Sequence, residues 1–336
     1  MCSFFLIHAS NSGYFCYFCT LKFKNSVFCM INRTIIRLKI VQLIYAYYQN
    51  GGRRIDAVEK ELMYSLSKAY DLYNYLLCLM VDLTRYAEEV VTEQEEKNRV
   101  AHIDAQISHR LLDNKFVAVL SQNEMLNQFR DNQHLTWMDD RNYLKHLYAA
   151  ITESEYYSDY MSLEDTSFED DREFWRRVYK NIIMKDTEID EILEDKSLYW
   201  NDDKETVDTF VLKTIKRFTA ESSAEHQLMP QFRDEEDVDY AKRLLDRTIE
   251  NAGYYQSLIS NSTRNWELKR IAFMDLVIMQ VAVAEMLSFP EIPVSVTINE
   301  YIELAKCYST PKSHMYINGI IDNIANRLRS EGKLMK

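Results

Sequence analysis

Six glycines and four prolines in 336 residues constrain this chain more than any other feature. Soluble domains use about 7% Gly and about 5% Pro, and hairpin turns, Gly-rich loops and sandwich corners draw on that supply. A chain so poor in both has little with which to turn a sheet, so the expectation is an all-α protein. Gly13, Gly51, Gly52, Gly253, Gly319 and Gly332 complete neither a GxGxxG nor a GxxxxGK[ST] pattern. No backbone cradle for a nucleotide phosphate is therefore in sight, which argues against ATPases, dehydrogenases and methyltransferases together.

At 47% hydrophobic residues the chain can bury a sizeable core. Its net charge of −12 speaks against nucleic acid if only the sum is read, but the charge is unevenly spread. Residues 151–210 hold 19 acidic and 7 basic side chains, whereas Arg33, Arg37, Lys39, Arg53 and Arg54 meet no acid between positions 30 and 54. A basic entry precedes an acidic middle.

Helical periodicity runs through most of the sequence. Asn32 is a cap for a helix to about Tyr48, with Ile36, Ile40, Leu43, Ile44 and Tyr47 as its buried stripe and Asn50-Gly51-Gly52 as its stop. A second tract extends from near Asp56 to about Lys97; at that length a break or a two-helix hairpin is expected inside it. Phe116 to Phe129, Tyr143 to Tyr160 and Phe174 to Met184 each show helical spacing, and Ser162 to Asp171 reads as an acidic loop. The apolar run Ile271 to Pro290 carries Asp275, Gln280 and Glu285, which would be costly in lipid, so it reads as a buried central helix. Those three residues lie about 140° apart in succession. They share no face, so at least one must serve a contact or a buried bond.

Shifting the chain by 66 residues lays Asp171, Phe174, Arg177, Ile183, Ile189 and Trp200 on Asp237, Tyr240, Arg243, Ile249, Tyr255 and Trp266, four of them identical. A duplicated three-helix unit and a chance likeness between helices of similar length both account for this.

The first 29 residues differ from the rest. Cys2, Cys16, Cys19 and Cys29 lie here among aromatics. Cys16 and Cys19 could be half of a zinc site completed by Cys29 or His8. Because periodicity begins just after Met30, the favoured reading is an upstream extension outside the fold. No basic region precedes the short run Phe4 to His8, so it does not read as a signal peptide. Only Cys78 and Cys307 follow, which fits a reducing cytoplasm.

Catalytic and metal signals are sparse. The seven histidines include no HExxH, and His102 and His109, two turns apart, have no Cys or carboxylate constellation beside them. No nucleophile has a base at a recognisable spacing. The expectation is a protein that is not an enzyme, with no metal and no cofactor.

The C-terminal quarter is more specific. Arg270-Ile271-Ala272 with Met274-Asp275-Leu276 opens the apolar helix, which leaves through Phe289-Pro290-Glu291-Ile292-Pro293. Ile298-Asn299-Glu300 then leads into Glu303-Leu304-Ala305-Lys306, and Ser313-His314-Met315-Tyr316-Ile317-Asn318-Gly319 into Ile321-Asp322. In that order these landmarks resemble the NusB family of transcription antitermination factors, and Gln42-Leu43-Ile44-Tyr45 is similar to the end of that family's first helix.

The resemblance implies a NusB-like helical bundle with a helical insertion. Residues 1–29 would be extension, 30–54 the first helix, 55–233 the insertion with its acidic segment 151–210, and 234–333 the C-terminal domain. It implies binding of boxA-like single-stranded RNA together with the small-subunit ribosomal protein that doubles as NusE, within the transcription elongation complex and away from membranes. For RNA, which needs cations for phosphates and flat side chains for bases, it points to Arg33, Arg37, Lys39, Ser313 as a helix cap, and Tyr316. Tyr45 and Asp275 would face the protein partner. The family's arginine within the central helix is Gln280 here, and its N-terminal basic cluster is denser. Arg53, Arg54, Arg327, Arg329, Lys333 and Lys336 could compensate. A second reading makes the acidic insertion a protein-interaction surface in ribosome assembly. A third, a ribosomal RNA methyltransferase with a NusB-like domain, requires a cofactor fold that this sequence does not offer.

Overall fold

The computed structural model describes residues 29–52, 54–105, 107–200, 202–263 and 271–334. The half zinc site with His8, Cys16 and Cys19, and also Arg53, Trp266, Arg270 and Lys336, lie outside the described residues. Among those described there are helices and no strand, so the protein is all-α.

Helix α1 (Arg33–Gln49) starts where the Asn32 side chain accepts the Ile35 N–H. It ends at Gly51 and Gly52, whose φ values of +72° and +83° suit glycine and reverse the chain. Helix α2 (Ile55–Val100) then runs for 46 residues without interruption, about 69 Å at 1.5 Å per residue. The expected break is absent, and packing explains why. Leu72 and Tyr73, and every residue from Tyr75 to Leu83, are buried, so this stretch is covered on all faces. Helices α1 and α10 (Glu235–Glu250) pack against α2, as do α3 (Lys115–Gln122), α4 (Glu124–Gln133), α5 (Arg141–Thr152) and α9 (Lys204–Arg217). The final turns, from Thr92 on, are largely exposed.

Two tracts that read as single helices are each divided. Asn123 stops α3 and caps α4 by accepting the Leu126 N–H, while its amide donates to the carbonyls of Ala224 and His226. Ser154 caps α6 (Glu155–Met161) after α5 has ended. The acidic loop is shorter than expected, because α7 (Phe168–Asn181) begins inside it. Ser167 and Asp170 form a capping box there, and three acids in the first turn favour the helix dipole.

The 66-residue shift reappears as architecture. Helices α7, α8 (Glu188–Lys196) and α9 correspond in order to α10, α11 (Ala252–Ser262) and α12 (Phe273–Ser288). Buried Asp171, Phe174, Trp175, Val178 and Tyr179 fall on buried Asp237, Tyr240, Ala241, Leu244 and Leu245. Ile189 and Leu193 fall on Tyr255 and Ile259. Asn114 caps α3, which packs on α7, as Asn32 caps α1, which packs on α10. The two units lie against one shared helix, α2.

Helices α13 (Val294–Tyr308) and α14 (Ser313–Ser330) complete the C-terminal unit around α12. Helix α12 is buried almost all round, and Asp275, Gln280 and Glu285 each make a buried hydrogen bond. No helix among the described residues is long and apolar enough to cross a membrane.

Candidate nucleic-acid and partner interface

The residues singled out in the sequence fall at the two ends of α1. Residues 33 and 45 are about 18 Å apart along the helix axis at 1.5 Å per residue, so they form two sites, not one.

At the first end the cations are engaged with the interior. Arg37 sends two parallel bonds to Glu285, at 2.7 and 3.1 Å, and a third to Glu300 at 3.2 Å. The same Glu285 carboxylate accepts from Tyr240 (2.5 Å), Thr297 (2.7 Å) and Tyr301 (3.2 Å). Burial alone would push Glu285 up; the Arg37 guanidinium and these hydroxyls outweigh it and hold the carboxyl below its ordinary pKa. Arg37 is thus the buried tie between α1, α12 and α13. Lys39 is likewise buried, paired with Asp203 at 2.7 Å and donating to the Tyr199 carbonyl at 3.3 Å. Neither side chain reaches solvent, which corrects the expectation that they lie ready for phosphates.

Arg33 differs. Its side chain keeps 30% exposure, contacts Asp237 at 3.4 Å and lies 4.7 Å above the Tyr240 ring. Phe289 packs on Tyr240 at 4.8 Å, and the Arg243 guanidinium lies 4.9 Å over the Phe289 ring. Two partly solvated arginines therefore flank an aromatic pair.

At the other end the site is aromatic. Tyr45 packs on Phe273 at 5.3 Å and Tyr48 on the same ring at 6.0 Å. Two residues beyond Phe273, Asp275 is fully buried and accepts hydrogen bonds from Ser309 and, at 3.0 Å, from Ser313. Burial raises its pKa, against the pull of those two hydroxyls. Asp275 thus fastens the start of α14 to the start of α12 and does not present an acid to a partner. Ser313 is buried as well; Lys312 occupies the cap position, and the Ser313 N–H is taken by the Thr310 carbonyl. The expected phosphate-binding cap is corrected accordingly. Tyr316, half-buried, lies with its hydroxyl 3.3 Å from Ser313.

Two contributors escaped the sequence reading. Phe273 is 38% exposed, with Tyr45 and Tyr48 packed on its ring, and Met315, beside Tyr316 at the start of α14, is 60% exposed. Phe273 was hidden because α12 is apolar almost throughout, so no periodicity marks its most exposed position. Gln280, where the family arginine would be, exchanges hydrogen bonds with Tyr48 (2.7 and 3.1 Å) and donates to the Thr248 carbonyl at 3.0 Å. It positions the C-terminal end of α1.

Among the described residues no group of three or more His, Cys, Asp or Glu could hold a metal ion. The fold defines an all-helical protein whose first helix is tied through a buried carboxylate to a C-terminal helical unit. Comparison with known proteins is consistent with that class. A profile of the NusB family matches residues 209–326. Transcription antitermination protein NusB of Chloroherpeton thalassium is 41% identical over 98 residues, 29% of this chain and 46% of that protein. The same-named protein of Salinibacter ruber is 39% identical over 98 residues, 29% and 61% of the two chains. That of Finegoldia magna is 43% identical over 91 residues, 27% and 66%. The aligned part spans between about half and two thirds of these relatives. A solved structure of T. maritima NusB shares 28% identity and covers 45% of this chain and 90% of its own, at a TM-score of 0.26, too low to bear on how the helices are arranged. The C-terminal part of this chain matches the NusB family, and an extensive helical region lies outside the match.

Proposed function

We propose that the chain is a non-enzymatic transcription antitermination adaptor. It binds boxA-like single-stranded RNA jointly with the small-subunit ribosomal protein that acts as NusE, and so supports ribosomal RNA transcription. The observation that carries this reading is the exposed Phe273 ring with Tyr45 and Tyr48 packed on it, two residues before the buried Asp275 that binds Ser313 beside Tyr316. Large rigid side chains of this kind anchor protein interfaces and offer stacking surfaces to unpaired bases. The names of the matched relatives point the same way.

Within this reading the roles shift from those the sequence suggested. Tyr316 stacks on a base and Arg33 takes a phosphate. Tyr45 and Phe273 seat the protein partner. Arg37, Lys39, Asp275 and Ser313 position these groups from within.

The test is fluorescence anisotropy of a labelled boxA-like RNA at two salt concentrations, with and without the purified ribosomal protein. A salt-sensitive complex that needs the partner is expected. Tyr316→Ala should weaken it by about 5- to 150-fold, the equivalent of one lost base stack. No complex at low salt in the partner's presence refutes the proposal.

A further inference from the structure

The insertion does not stand apart from this interface. Its residues 197–200, 202 and 203, between α8 and α9, are tied to α1 and α13 of the NusB-like part and to α2 of the insertion itself. Lys39 of α1 pairs with Asp203 at 2.7 Å, and Gln42, one turn from Tyr45, donates to Asp202 at 2.9 Å. Tyr308 of α13 reaches the Asp202 carbonyl at 3.4 Å, and the next residue, Ser309, is one of the two hydroxyls on Asp275. On α2, Glu61 takes the Tyr199 hydroxyl. The segment is thus built onto the same framework that holds the aromatic face.

What it presents is apolar. Leu198 is 70% exposed, and the Tyr199 ring stands edge-on to Tyr64, 5.2 Å away and itself 50% exposed. Beneath them Trp200 is buried, with its indole N–H on the Lys68 carbonyl at 2.7 Å, so the segment is rigidly seated. A fixed, solvated Leu–Tyr–Tyr surface beside a partner face has the composition of an interface anchor. Around Leu198 and Tyr199 in sequence the exposed charges are Glu194, Asp195, Asp202 and Glu205, all acidic. Lys39 and Lys68, the latter 5.5 Å over the Tyr64 ring, are paired with Asp203 and Asp71, and Lys60 is exposed one turn before Tyr64. RNA would be repelled there, whereas a basic protein would not.

We infer that Leu198, Tyr199 and Tyr64 form a second contact for the protein partner, so that one basic protein sits across both the Tyr45–Phe273 face and this patch of the insertion. This rests on the reading above. Under it the insertion enlarges the adaptor's partner surface.

The experiment measures affinity of the full chain for the purified ribosomal protein, without RNA, for four proteins: wild type, Leu198→Asp/Tyr64→Ala, Tyr45→Ala/Phe273→Ala, and Leu163→Asp as an exposed apolar control elsewhere on the insertion. Circular dichroism and sedimentation accompany each. The inference expects the Leu198→Asp/Tyr64→Ala protein to bind at least tenfold more weakly with unchanged helicity, and the control to bind as wild type. If only Tyr45→Ala/Phe273→Ala weakens binding, the second contact is overturned and the adaptor reading stands. If the wild type does not bind at all, both fall. If Leu198→Asp/Tyr64→Ala instead dissociates an oligomer of the chain at unchanged affinity, the surface serves a second copy and the inference is overturned.

Discussion

Replacing Arg37 by alanine separates a structural role from a direct RNA contact. Glu285 would remain fully buried with only neutral hydroxyls around it, having lost both guanidinium bonds. Removing one partner of a buried ion pair costs about 3–5 kcal/mol, because the remaining charge is left uncompensated. Unfolding about 300 ordered residues carries an entropy of roughly 0.6 kcal/mol/K near the midpoint. A loss of ~4 kcal/mol therefore lowers Tm by roughly 6 °C. Arg37→Met/Glu285→Gln removes both charges and leaves an acceptor for Tyr240 and Thr297, so it should recover about 1–3 kcal/mol of the sum of the single losses. Scanning calorimetry gives the stabilities, and anisotropy at about 20 °C gives RNA affinity with the ribosomal partner present. While the variant stays folded, its affinity should match wild type. A Tm within about 1 °C of wild type together with tenfold weaker RNA binding would identify Arg37 as a phosphate ligand and refute the buried-tie argument.

Three further consequences can be checked on the protein alone. Asp246 has its pKa raised to about 6 by burial and by the neighbouring carboxylate of Glu59. A folded value above the unfolded one means stability is gained on acidification and lost as pH rises from about 4 to about 6. Asp246→Asn should accordingly raise Tm at about pH 7 and flatten its pH dependence across that window; an unchanged profile counts against the pairing. Ser313→Ala removes the 3.0 Å bond to Asp275 and should cost about 1–3 kcal/mol, with faster amide exchange in the first turn of α14. In α2, exchange should be slowest over residues 72–83, which the core surrounds, and fast beyond Thr92, where solvent does. Uniform protection along the helix would contradict the packing described for it.

The parts of this fold that were legible in the sequence depend on local signals. Asn32 and Gly51-Gly52 bound α1, and the C-terminal landmarks keep the order and spacing of one helical family. The 66-residue likeness also survives, since a repeated helix keeps the positions it must bury. The continuity of α2 was not legible, because length alone suggests a break and only the layers packed on both sides make one unnecessary. The charges were misleading for a related reason. Arg37 and Lys39 look like a free basic cluster because no acid stands near them in sequence, yet their partners Glu285 and Asp203 are 248 and 164 residues further on. Periodicity cannot distinguish a cation that will be buried against a distant carboxylate from one that will meet solvent. Asp275 and Ser313 show the same ambiguity: both stand at family landmarks, and both turn inward to bind each other.

Under the proposed function, that inward use of charge limits which groups can meet RNA phosphates. For single strands, log K falls with log salt at about −0.7 per phosphate neutralised. If Arg33 is the only cation of the first helix that meets the RNA, Arg33→Ala should make the slope shallower by about 0.7, measured at fixed partner saturation. Arg37→Ala and Lys39→Ala, read at temperatures where both are folded, should leave it unchanged. A dense N-terminal cluster would instead lose about 0.7 with each of the three. The affinity remaining in Arg33→Ala would then come from base stacking on Tyr316, from the partner and from cations outside α1 such as Arg243. A net charge of −12 is compatible with RNA binding on those terms, since a few solvated arginines and a stacking aromatic need no broad basic surface around them once a basic protein is seated alongside. Equal slopes for wild type and Arg33→Ala would remove α1 from the RNA path altogether and move the search for phosphate contacts to Arg243 and the C-terminal helix.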